Sequence, residues 1–336
     1  MYNKLLPAPR NGGFRMKDYW IWCGSVIKGE DGQFHMFASR WPKSLPMHPG
    51  WLVASEIVRA SSEHPEGPYQ FQEVVLPARG AQYWDGRSTH NPHILKFKDT
   101  YLLYYMGSTH PLPEPVAGDG YDLNDPRCIV ARANKRIGLA TAPSVFGPWS
   151  RSDAPIIPTR AGKFDSFLTS NPAPCLREDG SVHLIYKARK YEGNTHGRMT
   201  IGAAQANHYE GPYEVEDTPV LPPEKFHIED PFVWKTDEGY EMIAKDMEGK
   251  LCGEKLGGVR MSSTDGLEWQ LSSNPIAYSR KVRWDDGTVT LMGNLERPFL
   301  LFQDGRPTHL FAAASNGRNG FHDATETWNM VIPIAP

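Results

Sequence analysis

Apolar and polar residues alternate along this chain in short runs, and the runs come in pairs joined by tight turns. Five such pairs share one skeleton. They read WCGSVIKGEDGQFHMFASRW from Trp22, HNPHILKFKDTYLLYYMGS from His90, SNPAPCLREDGSVHLIYKAR from Ser170, HIEDPFVWKTDEGYEMIAKD from His227 and ERPFLLFQDGRPTHLFAAASN from Glu296. In four of them a residue pair stands just before a proline; in all five an apolar run, a turn and a second apolar run follow. The turn is Asp-Gly in three copies, Lys-Asp-Thr in the second and Asp-Glu-Gly in the fourth. Such residues supply the positive φ of a tight β-hairpin. After four of the hairpins comes a second unit: IVRASSEHPEGPYQF, IGLATAPSVFGPWS, IGAAQANHYEGPYEV and VRMSSTDGLEWQL. It reads as a third strand, a turn and an aromatic leading into a fourth strand.

Four strands over roughly 60 to 80 residues make a propeller blade. The expectation is an all-β chain, a five-bladed β-propeller with four-stranded antiparallel blades around a central channel. It forms one domain over residues 1–336, with blades at approximately 20–80, 81–160, 161–222, 223–280 and 281–336. The fifth module lacks an outer pair, and ETWNMVIPIA near the C-terminus is placed to pair back and close the ring. A β-sandwich also has regularly spaced strands, but it does not predict five copies of one hairpin.

In this architecture the start of each first strand and the end of each second strand meet at one rim of the channel. The strand starts are Trp22-Cys23, His90-Asn91, Ser170-Asn171, Glu229-Asp230 and Glu296-Arg297. The second strands end at Ser39-Arg40-Trp41, Gly107-Ser108, Lys187-Ala188-Arg189, Lys245-Asp246 and Ser315-Asn316. So many charges in one concave mouth point to a polar ligand. Because Glu229 and Asp230 are neighbours in a strand, their side chains are expected on opposite faces. An aromatic-Asp pair lies upstream of three strand starts, giving Asp85, Asp165 and Asp285; these read as blade-joining turns, with Asp85 and Asp165 also candidates for the chemistry. Three long insertions leave the same rim, at 40–51, 107–136 and 245–258, and loops of that length act as lids or binding loops.

Composition narrows the function. The formal charge of −3 offers nothing to recruit nucleic acid or an anionic membrane. No apolar run is long enough to span a bilayer. The N-terminus MYNKLLPAPRNGG has no signal-peptide core, so a cytoplasmic location is expected for the chain as given, and a periplasmic or secreted one if a leader was removed. The four cysteines, Cys23, Cys128, Cys175 and Cys252, are too scattered for a zinc or disulfide framework and read as reduced thiols. No cofactor is expected: no ligand spacing demands a metal, and a structural or channel-bound metal ion stays compatible with the sequence.

Aromatic faces with carboxylates, amides and cations suit carbohydrate. The repeated strand starts, the WDG…NP and FDS…NP stretches and the GPY/GPW turns resemble the five-bladed β-propeller glycoside hydrolases of families 43 and 117. The resemblance extends from about Trp20 to the end. It implies an exo-acting glycosidase that removes a terminal sugar from an oligosaccharide by an inverting two-carboxylate mechanism. It places the acid near Glu229, but Cys23 stands where those families carry a base Asp, and Asn91 and Asn171 stand where another Asp is possible. The catalytic candidates are therefore Glu229, Asp230, Glu296, Asp85 and Asp165. Family 117 relatives also suggest a histidine acid, which keeps His90 and His227 in view. Substrate-binding candidates are Trp22, Arg40, Trp41, His90, Asn91, Asn171, Lys187, Arg189, His227, Lys245 and Arg297. The cations exceed what a neutral sugar needs; ion pairing among themselves, an acidic or sulfated sugar, or a phosphate co-substrate each account for them. The last would make the protein a glycoside phosphorylase like those of family 130. The loss of the usual base also admits a sugar-binding propeller without catalysis.

Overall fold

A computed structural model describes residues 1–116, 118 and 121–336. Five antiparallel sheets are arranged around a channel. Their strands lie within residues 19–76, 88–151, 168–215, 228–278 and 294–333. The first four sheets have four strands each, as expected. The fifth has three, and its last strand is Thr327–Pro333 from the C-terminal stretch, paired antiparallel with Arg306–Ser315. The N-terminal segment then bridges to that strand at Phe14–Asn329 and just past its end at Leu5–Ile334. Phe14 is fully buried, and the Asn329 amide oxygen accepts from the backbone of Gly24 in the first blade at 2.7 Å. The seam between first and last blades is thus held by both chain ends.

The apolar cores sit between neighbouring blades. One joins the first and second blades through Phe37, Ile57, Leu103 and Tyr105; others join the second to the third and the third to the fourth. The largest ties the fourth, fifth and first together with Phe14. Burying such side chains contributes about 1.5–3 kcal/mol each, so the ring is stabilised mainly at its blade contacts.

The aromatic-Asp pairs belong to this packing. Trp84 lies against Gly138 of the third strand, where a Cβ would meet its ring at 2.5 Å, and stacks on Tyr105 at 5.6 Å. Phe164 does the same against Gly202 and Tyr186. The adjoining carboxylates are completely buried. Asp85 accepts from Arg79 at 2.6 Å and Tyr105 at 2.7 Å; Asp165 accepts from Arg160 at 3.0 Å and Tyr186 at 3.0 Å. The Asp285 side chain accepts the backbone N–H of Arg10, at 3.2 Å, and no other hydrogen bond among the described residues.

The strand starts depart from simple alternation. In every blade the pairing register slips by a bulge at the same place, between Trp22 and Ser25, His90 and His93, Glu229 and Phe232, Glu296 and Phe299, and opposite Ile185–Lys187 in the third blade. The bulged residues Cys23, Asn91, Asn171, Asp230 and Arg297 have φ of 54°, 54°, 52°, 61° and 58°. Left-handed backbone costs a non-glycine residue about 1–3 kcal/mol, least for Asn and Asp. In return the five side chains turn onto the channel axis and join. Cys23 donates to Asn91 at 2.9 Å, Asn91 to Asn171 at 2.8 Å and Asn171 to Asp230 at 2.7 Å. Arg297 closes on Asp230 at 2.6 Å.

Candidate active site

The bulges decide which side chains reach the rim. With the second residue of each pair turned to the axis, the first points into a cavity of about 260 Å³ above it in every blade but the third, where Ser170 instead donates to Asn171. Trp22, His90, Glu229 and Glu296 line this cavity, together with Lys187, Arg189 and Lys245 from the second strands and Trp41 and Arg297. The expectation that Glu229 and Asp230 diverge to opposite faces is corrected here: the bulge lets both reach the same ammonium. Lys245, directly across the strand pair from Glu229, contacts Glu229 at 2.8 Å, Asp230 at 3.1 Å and Glu296 at 2.5 Å. Lys187 makes a second ion pair with Glu229.

The two glutamates are driven apart electrostatically. Burial alone would raise the pKa of Glu229, but Lys187, Lys245 and Arg297 outweigh it and hold the group well below the usual carboxylate range. Burial also raises Glu296, which has Asp230 and Glu229 adding to the rise and only Lys245 and Arg297 opposing it; it stays above its ordinary value. One carboxyl is kept ionised and its neighbour is biased to hold a proton.

His90 lies between aromatic rings, stacked on Trp51 at 4.9 Å and edge-on to Trp41 at 5.7 Å. Its Nδ1 is 2.8 Å from the Ser55 hydroxyl. Burial, with Arg297 and Lys135 nearby, pushes its pKa well below the histidine range. The neutral imidazole, with Nδ1 on Ser55 and Nε2 3.5 Å from the Cys23 sulfur, forms part of the wall. Trp22, Trp41, Trp51 and Phe321 add apolar surface to the same lining.

All three insertions reach the mouth. The first carries helix α1, Met47–Ala54, which brings Met47, His48 and Trp51. The second carries helix α2, Pro126–Ala133, which brings Arg132 and is followed by Lys135. The helices pack on each other through Leu52, Val53, Cys128 and Ala131. The third is organised by Asp246, which accepts from the backbone of Gly249, Leu251 and Cys252 at 2.7–3.0 Å and so positions Met247 and Leu256.

Several expected site residues lie elsewhere. Asp85 and Asp165 are sealed between blades with their carboxylates occupied, so the structure does not bring them to the cavity and they leave the catalytic set. Arg40 pairs with Glu56 at 2.8 Å and stacks on Tyr19 and Phe71, facing away from the cavity. His227 pairs with Glu248 at 3.0 Å outside the lining. Asn91 and Asn171 belong to the axial ring, where the free space is only about 40 Å³, enough for water but not for sugar. Sequence reasoning missed Trp51, Arg132, Lys135 and His196. A signal for α2 was present: Asp125 caps it, accepting from the Arg127 backbone at 2.8 Å, and Pro126 occupies the first turn. No group of three or more His, Cys, Asp or Glu side chains suited to a metal occurs among the described residues.

Solved structures with this architecture are numerous. Zg3597, a family 117 glycoside hydrolase from the marine bacterium Zobellia galactanivorans, superposes with a TM-score of 0.66 at 20% identity, over 98% of this chain and 89% of that one. The fold is that of the propeller glycoside hydrolases. A thermostable family-43 glycoside hydrolase matches at 0.61 and 16% identity, over 97% and 92% of the two chains. The Xanthomonas citri GH43_1 enzyme complexed with xylotriose matches at 0.60 and 15%, over 99% and 91%. No family model matches the sequence, and no curated protein does.

Proposed function

We propose that this protein is a glycosidase with Glu296 as general acid and Glu229 as the ionised partner, acting on a terminal sugar held in the roofed cavity. The observation that carries this reading is the pair itself. Two buried carboxyls from adjacent blades share one cavity, and their surroundings bias one toward the protonated state and the other toward the ionised one. Glycoside cleavage needs that division: the acid protonates the departing oxygen while the carboxylate activates water or attacks the sugar. The tryptophan surfaces supply a face for sugar C–H groups, and α1 and α2 cover the mouth, which favours removal of end sugars over internal cuts.

Both glutamates are held on Lys245, at 2.8 and 2.5 Å, so their nearest oxygens stand no more than about 5.3 Å apart. An inverting pair spans roughly 6.5–9.5 Å to admit a water. Inversion therefore requires the sugar to displace Lys245 toward Asp230 and open the pair. NMR of the first-formed anomer tests this; net retention would sink it and make Glu229 the nucleophile. The acid assignment is tested with Glu296→Gln. That variant should lose nearly all activity on alkyl glycosides, whose leaving groups need a proton, while keeping much of it on dinitrophenyl glycosides. Equal loss on both classes, or none, would remove Glu296 from the role.

A further inference from the structure

One wall of the cavity carries more positive charge than the carboxylates answer. Lys187 is paired with Glu229, Lys245 with Glu229, Asp230 and Glu296, and Arg297 with Asp230. Arg132, Lys135 and Arg189 have no carboxylate partner among the described residues. Arg189 donates only to His196 and to the carbonyl of Gly197, both at 2.8 Å. Lys135 is the most telling. It is 4% exposed and lines the cavity, and its ammonium has no hydrogen-bond acceptor or counter-ion among the described residues. Its ammonium lies over the Trp51 ring, at 4.9 Å from the centroid, and Glu229 attracts it only from beyond ion-pair distance. A buried, unpaired ammonium beside other cations is costly and is expected to persist only if something anionic completes it.

We propose that Arg132, Lys135 and Arg189 form a receptor for an oxyanion group, which the cavity binds beside the Glu229–Glu296 pair. Resting on the glycosidase reading above, this makes the ligand either a sugar bearing a carboxylate or sulfate, or a neutral sugar accompanied by inorganic phosphate. The chemistry shared by these sources is a compact anion with several acceptor oxygens, which a guanidinium and an ammonium recognise together. The charges of this wall come from α2, the loop after it and the third blade, whereas Glu296 comes from the fifth.

The test is calorimetric titration of the intact protein at low ionic strength with glucuronate, inorganic sulfate, inorganic phosphate and, as neutral control, glucose. At least one anion should bind at least tenfold more tightly than glucose, and more weakly as salt is added. Lys135→Met should weaken that anion at least tenfold and leave glucose unaffected. It should also raise the melting temperature, because an unpaired buried cation has been removed; a merely structural lysine would do the reverse. Glucuronate or sulfate binding with turnover indifferent to phosphate would assign the anion to the sugar. Turnover that requires phosphate and releases a sugar 1-phosphate would assign it to the co-substrate. If no anion binds better than glucose, or Lys135→Met binds the anion unchanged, the proposal is overturned. Anion binding without cleavage of any glycoside would overturn only the glycosidase reading, and cleavage of neutral glycosides indifferent to every anion only this one.

Discussion

Replacing Lys245 by Met keeps the stem's volume but removes the charge on which three carboxylates converge. Two of them retain other cations: Glu229 keeps Lys187, and Asp230 keeps Arg297 along with the Asn171 amide. Glu296 is left, among the described residues, with no ion pair and one hydrogen bond, from the Asn294 amide at 3.4 Å. The variant thus has one uncompensated buried carboxyl, and breaking a buried pair costs about 3–5 kcal/mol. Since the group can relieve the loss by taking a proton, the low end applies, ~3 kcal/mol at pH 8. The pH dependence has a definite sign. Burial and the charges of Asp230 and Glu229 already raise Glu296, and without Lys245 the main charge opposing them is that of Arg297. The folded variant therefore holds a proton that the unfolded chain releases above about pH 4.3, so its stability falls as pH rises from there to the raised folded value. Urea unfolding followed by tryptophan fluorescence at pH 5 and pH 8 measures this. The deficit relative to wild type should be about 1 kcal/mol at pH 5, where a protonated Glu296 loses little more than a hydrogen bond. A deficit below 1 kcal/mol at pH 8, or one equal at the two pH values, would refute the reasoning.

The pH–rate profile should be bell-shaped. Its acid limb belongs to Glu229, active only when ionised and depressed in pKa, and its alkaline limb to Glu296, active only when protonated and raised. Glu296→Gln should flatten the alkaline limb of the residual activity, and an unchanged limb would count against the assignment. Asp85→Asn should lower stability by about 3 kcal/mol in denaturant titration while the folded protein keeps its kcat, since this carboxylate serves Arg79 and Tyr105 between blades. Asn329→Ala should cost about 1–3 kcal/mol by exposing the unmet Gly24 N–H at the ring closure. Trp51→Ala should raise KM for a glycoside substrate at least tenfold through loss of a ring from the cavity wall, measured by initial rates.

The propeller was legible because each blade repeats the same alternation and turn residues, so one pattern was read five times. The rim was legible for the same reason: topology alone brings Glu229, Glu296, Lys187 and Lys245 to one mouth. Period-two reasoning failed at the bulges. It placed Glu229 and Asp230 back to back, whereas left-handed backbone at Asp230 swings its carboxylate to the axis and the shared Lys245. The aromatic-Asp motif misled because a repeated acid before a strand suits a site and a blade joint equally well; the burial of both carboxylates on Arg and Tyr partners, with Trp84 against Gly138 and Phe164 against Gly202, shows a joint. Arg132 and Lys135 escaped notice because they sit in an insertion whose helix obeys its own cap and has no counterpart in the other blades.

A crystal structure of Glu296→Gln soaked with a substrate bearing the preferred terminal sugar bears most directly on the central claim. The account requires the anomeric carbon to lie between residue 296 and Glu229, with the glycosidic oxygen within hydrogen-bonding reach of the substituted side chain and Lys245 displaced toward Asp230. A sugar bound with its anomeric carbon remote from both residues, or bound outside the cavity, would contradict it.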